Sequence, residues 1–298
     1  MDDSAIGTYA NRDHYAGLIE MILPLAVMYA VALLQREHKR HESPAGPALK
    51  ACGVLAIAAL ILVAIIRSLS RMGFLASLAS LFVSGAIALS VRGWRVDVET
   101  PAPLWRRLLP IATVAVIVAL GFVFLPTDPL IARFSDLART DDISADTRAQ
   151  IWRESIGIIK AFPVFGCGLG GYESVFMRFK TVAPMFTVDY AHNDYLQILV
   201  EMGPIAFAAG VFFAIRLLAA TIRRALYARS TDERFLMVGC TGSLVAMLLH
   251  SFVDFNLYVP ANGAVFAWIC GLAATALNAR RRISKPAMKA EAAMSSVS

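Results

Sequence analysis

Two arginines and one histidine, far apart in an apolar chain, carry side chains that could hold a phosphate and activate a hydroxyl. Arg71, Arg148 and His192 each lie beside or between long apolar runs. A guanidinium is permanently charged and its forked donors match phosphate oxygens, whereas an imidazole can accept a proton near neutral pH. The residues suggest transfer from an anionic, lipid-linked substrate to a hydroxyl. For an isolated histidine, interfacial hydrogen bonding is the alternative.

His192 stands directly before an apolar run that is long enough to form a membrane helix. Asp194, Gln197 and Glu201 recur there at positions i, i+3 and i+7, and Asn193 or Asp194 can cap the first turn. A charge at the bilayer centre costs roughly 2.5 to 3.5 kcal/mol on insertion scales, so polar groups in such helices usually face a cavity or a partner. We therefore expect one polar stripe that lines an outward-facing cleft.

Arg148 belongs to a predicted amphipathic helix that begins with a capping box near residue 147. At 100° per residue, Trp152, Ile156 and Ile159 fall within about 80° of Arg148 on one helical face. Such a helix would rest on the membrane or on the helix bundle, with Arg148 on its apolar side. The alternative is that Arg148 merely extends to a lipid phosphate.

A glycine-rich segment follows this helix, which Pro163 is expected to end. Gly166, Gly168 and Gly171 match the pattern G-x-G-x-x-G. That pattern indicates dinucleotide binding only between a strand and a helix of a βαβ unit, and neither is apparent here. A turn with exposed amides near a diphosphate remains open, and a purely structural turn is the favoured interpretation.

Two further polar sites are expected on the same side of the membrane. Arg71 lies in the very short connection of residues 68–73, which should hold it at the membrane surface. His250 and Asp254 are four residues apart and share a face near the end of another apolar run. Arg71 suits a phosphate, whereas the latter two are interpreted first as wall or packing residues.

The composition requires these residues to be positioned by membrane helices. Of the 298 residues 58% are apolar and 17% charged, and the mean hydropathy is +0.62. A helix needs about 20 mostly apolar residues to cross the hydrocarbon. We therefore predict an all-α polytopic bundle of about seven spans. The apolar stretches lie at about residues 15–34, 51–67, 74–91, 108–125, 195–215, 235–253 and 261–278.

The distribution of basic residues predicts the orientation of this bundle. Of the 28 Lys and Arg residues, 18 fall in four segments on one side, at 36–50, 92–107, 216–234 and 280–289. Positive charge marks the cytoplasmic side, so the N-terminus and the long loop of residues 126–194 should lie outside and the C-terminus inside. Residues 1–285 form one predicted domain, followed by a disordered cytoplasmic tail of residues 286–298. This bias explains the net charge of +6 without a nucleic-acid partner.

Neither the cysteines nor the start of the chain adds a further element. Cys52, Cys240 and Cys270 lie in predicted spans, and Cys167 has no obvious disulfide partner outside. A structural zinc site is not expected. The acidic start of the chain does not resemble a cleavable signal peptide.

In their order and sidedness, these motifs resemble the superfamily of O-antigen ligases and Wzy-type polymerases of bacterial envelopes. Relative to that family the chain resembles roughly the second half to two-thirds of a member, and Ala206 departs from the glycine, threonine or tyrosine that ligases often show there. The matching motifs are residues 7–17 (GTYANRDHYAG), residues 70–73 (SRMG), Arg148 with Trp152 ahead of the glycine run, His192-Asn193 followed by Gly203, and residues 250–262.

The resemblance implies a membrane glycosyltransferase of the GT-C type that needs no metal, other cofactor or nucleotide sugar. It implies that Arg71 and Arg148 hold an undecaprenyl diphosphate and stabilise its leaving charge, and that His192 is the general base. A set of supporting, cavity-lining residues is implied as well. These are Asn11, Trp152, Asn193, Asp194, Gln197, Glu201 and Asp254.

The implied partners are the lipid-linked glycan, the bilayer and an acceptor glycolipid, polysaccharide or protein, at the outer face of the bacterial cytoplasmic membrane. A non-enzymatic membrane protein is the competing hypothesis, either a transporter or a truncated, inactive family member. A transporter would more naturally show broken helices and charges near the bilayer midplane. Here the ionisable residues gather at the outer helix ends instead.

Overall fold

The computed structural model describes residues 5–35, 45–94, 145–181, 187–228 and 230–295, and in these ranges it contains helices and no strand. The predicted all-α class is therefore confirmed. The helices are α1 (Arg12–Gln35), α2 (Ala45–Arg67), α3 (Arg71–Trp94), α4 (Ala145–Ala161), α5 (Tyr172–Phe179), α6 (Asp194–Tyr227), α7 (Thr231–His250) and α8 (Pro260–Ser295), with a short 3-10 turn at Asn256–Tyr258.

Five of the described helices are long and apolar enough to cross a membrane. These segments are α1, α2, Arg71–Ser90 of α3, α6, and Pro260–Leu277 of α8, and each overlaps a predicted span. The predicted span at 108–125 lies outside the described residues. The polytopic membrane character of the chain is confirmed.

The predicted span at 235–253 forms most of α7, whose residues are mostly buried against other helices. α7 packs against α1, α3, α6 and α8. Gly239 lies against Leu25 of α1, and Gly242 lies against Pro24 and the serines of α3. Small residues let helix backbones approach closely, and hydroxyls can bond across such contacts. Ser243 Oγ donates in this way to the Met21 carbonyl at 2.6 Å.

Several connections meet at one end of the bundle, which we call the site end and define as residues 5–16, 67–73, 187–197 and 250–262. The Ala5 amide donates to the Arg67 carbonyl at 2.8 Å, and a Cβ placed on Gly73 would meet the Cβ of Ala16 at 2.6 Å. Tyr9 Oη donates to Asn262 Oδ1 at 2.8 Å. Contacts between residues more than 50 positions apart therefore fix this end.

Helix α6 is broken inside its apolar segment. Gly203 has a φ of 77°, which is not helical, and Pro204 follows it. Proline has no amide hydrogen, so the carbonyl four residues earlier, that of Val200, loses its helical partner. The break leaves backbone acceptors near the site end that other groups must satisfy.

Candidate active site

A buried carboxylate with two imidazoles beside it lies at the centre of the site end. Asp254 Oδ1 is 3.7 Å from His192 Nδ1, and Asp254 Oδ2 is 3.5 Å from His14 Nε2. The Asp254 side chain is 3% exposed, whereas those of His14 and His192 are 12% and 16% exposed. A carboxylate in this position can orient an imidazole and stabilise its protonated form.

The backbone around His192 is held against the segment that carries Asp254. His192 itself has a φ of 49°, an uncommon value for a residue with a side chain. The next residue, Asn193, caps α6 by accepting from the Leu196 amide at 3.0 Å. The Asp194 amide donates to the carbonyls of Ser251 and Asp254 at 2.9 and 3.1 Å. The start of α6 and the end of α7 thus fix the imidazole relative to the carboxylate.

The side chain of Asp194 completes this connection. Its Oδ2 accepts from Ser251 Oγ at 2.8 Å, and the Leu257 amide lies 3.2 Å from both carboxylate oxygens. His14 is held from the other direction, because its carbonyl accepts from Asn262 Nδ2 at 2.8 Å. Three different parts of the chain therefore set the distances around Asp254.

An aromatic ring forms one wall beside the two imidazoles. The Phe255 ring centroid is 4.6 Å from that of His14 and 5.0 Å from that of His192, and both pairs meet edge to face. Tyr190 stacks on Phe255 with centroids 4.2 Å apart. These contacts restrict the ring orientations and keep part of the site dry.

The electrostatics of Asp254 favour its ionised form. Burial opposes the charge, but the adjacent imidazoles of His14 and His192 outweigh it and hold the pKa of Asp254 well below its usual range. Tyr258 behaves in the opposite way. Burial, together with the Glu201 carboxylate that accepts its hydroxyl hydrogen at 2.8 Å, raises the pKa of Tyr258. Asp254 is thus a fixed negative charge beside His192, and Tyr258 stays a hydrogen-bond donor.

The polar stripe of α6 is enclosed by protein groups. Asp194 and Gln197 are 0% exposed and Glu201 is 1% exposed. Gln197 Oε1 accepts from the Ala191 amide at 2.6 Å, and its Nε2 donates to Glu201 Oε1 at 3.0 Å. The expected cleft lining is therefore not the arrangement observed. These side chains instead hold the segment before α6, which carries His192, in place through hydrogen bonds.

The glycine run closes the break in α6. The amides of Cys167 and Gly168 donate at 2.9 Å to the carbonyls of Val200 and Glu201. Gly166 has a φ of 70°, and any side chain there would overlap the Val200 and Glu201 backbone. The segment is a structural turn, which is the favoured interpretation of its sequence, and the amides of Cys167 and Gly168 are occupied by helix carbonyls.

Helix α4 reaches the site through Trp152, whose Nε1 donates to the Ala191 carbonyl at 2.8 Å. Arg148 lies one turn earlier and is half-buried, and its buried Nε has no hydrogen-bond partner in the described part of the chain. The buried face differs in part from the predicted one. Ile151 and Ile158 are fully buried, whereas Ile156 is 46% exposed, because α5 packs against α4 from the side of Ser155.

Two other site residues lie at helix starts. Asn11 caps α1, since its Oδ1 accepts from the Asp13 amide at 2.8 Å. Arg71 begins α3, after a connection in which Ser70 Oγ accepts from the Gly73 amide at 3.1 Å. The contact of Gly73 with Ala16 brings that connection to α1, two residues from His14. Arg71 therefore lies in the site end, beside the start of α1.

Comparison with known proteins identifies the family. The family model for O-antigen ligase matches residues 56–211, just over half of the chain. The chain belongs to the O-antigen ligase family. A search of curated proteins returns no match. The matched region of this ligase-family protein contains Arg71, Arg148 and His192, whereas His14 and Asp254 lie on either side of it.

Sequence reasoning missed several residues of this site. The family resemblance includes His14 in a motif but implies no role for it, and no pattern in the sequence indicates Tyr190 or Phe255. Their sequence separations are irregular, so no periodicity links them to His192. A detectable signal existed only for Glu20, a carboxylate in the apolar run of α1, which lies 3.0 Å from His250 Nδ1.

The grouping of His14, Asp254 and His192 raises the question of a metal. Among the described residues, no set of three or more His, Cys, Asp or Glu side chains has the arrangement of a metal site. The three side chains are therefore interpreted as an imidazole–carboxylate–imidazole cluster.

Proposed function

We propose that this protein transfers a glycan from an undecaprenyl-diphosphate-linked donor to an acceptor hydroxyl at the outer face of the cytoplasmic membrane. Family membership supports ligase- or polymerase-like activity in a membrane. The observation that carries the assignment is the His192 imidazole, held 3.7 Å from the buried Asp254 carboxylate. An imidazole backed by a carboxylate is an arrangement suited to general-base catalysis.

In the proposed reaction His192 accepts the proton of the acceptor hydroxyl. The acceptor oxygen forms a bond to the anomeric carbon of the donor sugar, and the bond from that carbon to the diphosphate oxygen breaks. The electron pair leaves on the diphosphate, and the proton remains on the imidazole. With Nδ1 directed at Asp254, Nε2 is the nitrogen left for the acceptor, a tautomer assigned from geometry.

Arg71 and Arg148 are proposed to bind the diphosphate and to stabilise the charge that develops on it. Two observations support this role in diphosphate binding. Arg71 starts α3 at the site end, and the buried Nε of Arg148 has no hydrogen-bond partner among the described residues. A guanidinium binds phosphate oxygens through two parallel hydrogen bonds. Trp152 would set the height of Arg148 above the membrane through its bond to Ala191.

The acceptor in this proposal is a glycolipid, a growing polysaccharide or a protein hydroxyl, and the three correspond to ligase, polymerase and protein glycosylation activity. The N-terminus and the loop of residues 126–194 lie outside and the C-terminus in the cytoplasm. The basic residues support this orientation, since the segments richest in Lys and Arg follow the helix ends opposite the site end.

A reconstituted assay tests the proposal. The purified protein in lipid vesicles is supplied with a defined undecaprenyl-diphosphate oligosaccharide and each acceptor class in turn, and the product is identified by mass spectrometry. The wild type should modify one class, and His192→Ala should lose transfer by about 10²-fold or more.

Arg178 provides a matched control for the arginines, because it is exposed on α5. Arg71→Ala and Arg148→Ala should reduce transfer, whereas Arg178→Ala should not. Full activity of a correctly inserted His192→Ala variant would show that the mechanism is wrong. An inactive wild type with every acceptor would favour the non-enzymatic alternative.

A further inference from the structure

We propose that the turn of residues 162–171 is inserted into the membrane and that its exposed apolar side chains contact the acyl chains of the leaflet at the site end. The occupant of this surface is therefore lipid. The inference concerns the placement of the turn and does not depend on glycan transfer.

The attachment of the turn to α6 sets its depth. Arg216 is the first Lys or Arg in α6, and about 20 residues of helix cross the hydrocarbon. Counting back from Arg216 places the boundary at the site end near residue 196. The carbonyls of Val200 and Glu201, to which the turn is bonded, then lie roughly 6 to 8 Å inside the boundary at 1.5 Å per residue.

The composition of the turn suits this depth. No charged residue occurs from Ala161 to Tyr172. The side chain of Phe165 is 79% exposed and that of Leu169 is 73% exposed. Large apolar side chains in water are unfavourable by about 25 cal/mol per Å², so two such neighbours on a loop indicate a non-aqueous surrounding.

The backbone of the turn is compatible with lipid where the structure shows its bonds. Irregular backbone at membrane depth is tolerated only if protein groups satisfy it. The amides of Cys167 and Gly168 are bonded to α6, and the Gly171 amide donates to the Gly168 carbonyl at 3.0 Å. The turn therefore supplies donors to two carbonyls at the break in α6, and these bonded backbone groups can lie below the headgroups.

The exposed side chains of the turn continue the lipid-facing surface of α6. Beside the break, Met202 is 42% exposed and Ile205 is 63% exposed, and Phe212 further along is 65% exposed. In its most apolar window α6 has only 11% of its residues buried within the protein. One apolar surface thus runs from α6 onto Phe165 and Leu169, which argues for acyl chains as the common neighbour.

Photo-crosslinking distinguishes lipid from the other possible neighbours. Benzoylphenylalanine replaces Phe165, Leu169 or, as the control, Glu173, which is exposed on the adjacent helix α5. The full chain is reconstituted in vesicles of phosphatidylethanolamine and phosphatidylglycerol and irradiated, and adducts are identified by mass spectrometry. We expect several times more phospholipid adduct at positions 165 and 169 than at 173.

Either of two crosslinking results would overturn the inference. Equal phospholipid yields at all three positions would show that the turn is no deeper than α5, and adducts with a second copy of the chain would show a protein neighbour. If one of these variants elutes abnormally in size exclusion, a fluorescence experiment is used instead. It uses the Phe165→Trp variant of the otherwise unchanged chain. Brominated phospholipids should then quench the fluorescence of the introduced tryptophan. If that fluorescence is not quenched, the proposal is also contradicted.

Discussion

At the scale of single residues, the site depends on how one buried carboxylate is shared. Asp254 contacts His192 through one oxygen and His14 through the other, at 3.7 and 3.5 Å. Only His192 directly precedes α6 and the membrane entry of that helix. His14 is fixed through its carbonyl by Asn262, and its Nε2 lies beside the second oxygen of Asp254.

Replacing Asp254 by Asn should lower transfer without preventing folding. The amide keeps the shape of the side chain but removes the charge that stabilises protonated His192, so we expect kcat to fall on the order of 10- to 100-fold with little change in KM for the donor. The reconstituted assay measures both constants. Asp189→Asn is the control, since that carboxylate is exposed at the same end. A variant with wild-type kcat would remove Asp254 from the mechanism.

The depressed pKa of Asp254 predicts how stability depends on pH. Because its folded-state pKa lies below the usual value of about 4, the charge stabilises the fold above that pH and is lost only as pH falls towards the folded-state value. The wild type should melt at a higher temperature than Asp254→Asn. This difference in melting temperature should stay constant from neutral pH to about pH 5 and should narrow below about pH 4. Closure of this difference between neutral pH and about pH 5 would contradict the assignment.

The types of the site residues could be predicted more readily than their contacts. His192, Asn193 and Asp254 stand out in the sequence because polar residues at the ends of apolar runs are costly unless they have partners. The pairing of Asp254 with His192 joins residues 62 positions apart through the bonds between Asp194 and Ser251. No local sequence pattern encodes the distance between these two side chains, so their contact could be recognised only from the folded structure.

At the scale of helices, the break in α6 is closed by the protein itself. Unpaired carbonyls at a helix break are the groups with which transporters coordinate ions. Here the carbonyls of Val200 and Glu201 already accept from Cys167 and Gly168. The broken helix is therefore a docking point for the turn, and it gives the transporter hypothesis no ion site at this position.

Gly203 and Gly210 offer a matched pair of substitutions in α6. A side chain at Gly203 would require a φ of 77° and would overlap the Val164 carbonyl, whereas nothing lies within 4 Å of a Cβ at Gly210. Gly203→Ala should destabilise the protein by about 1 to 3 kcal/mol or more, and Gly210→Ala should be neutral or slightly stabilising. Thermal melting in detergent measures both. Equal effects would show that the break is not needed by the fold.

Glu20 of α1 and His250 of α7 form a contact between two helices that substitutions can test. Both side chains are fully buried, and His250 Nδ1 lies 3.0 Å from each carboxylate oxygen. Removing one partner leaves a buried polar group unpaired, so Glu20→Leu should destabilise by about 3 to 5 kcal/mol. The double variant Glu20→Leu/His250→Leu should recover much of this loss. Additive losses in melting experiments would show that the pair is not coupled.

The helices were predictable because their length and composition are set by the membrane. The structure begins α2 at Ala45 and α3 at Arg71, before the predicted apolar cores, since the backbone bonds of a helix continue beyond the apolar run. The face of α4 was predicted less well. Its burial is decided by Tyr172 and Phe176 of α5, which periodicity within α4 cannot reveal.

At the scale of the whole molecule, the sequence predicts the membrane orientation, and the structure shows which helix ends lie together at each end of the bundle. The site end holds the starts of α1, α3, α6 and α8, so the other ends of these four helices lie at the opposite end of the bundle. Of the 28 basic residues, 18 fall in the sequence segments that flank those other helix ends. Lys and Arg in short loops resist translocation, which supports the proposed outward orientation of the site end.

Cysteine labelling in intact bacteria tests this orientation. Glu173→Cys in α5 and Asp232→Cys in the first turn of α7 place a thiol on opposite sides, and both positions are exposed. A membrane-impermeant maleimide should label position 173 in intact cells and position 232 only after the membrane is opened. The unmodified chain, whose cysteines are Cys52, Cys167, Cys240 and Cys270, gives the background. The reverse pattern would place His192 and Asp254 in the cytoplasm, where a donor displayed at the outer face could not reach them.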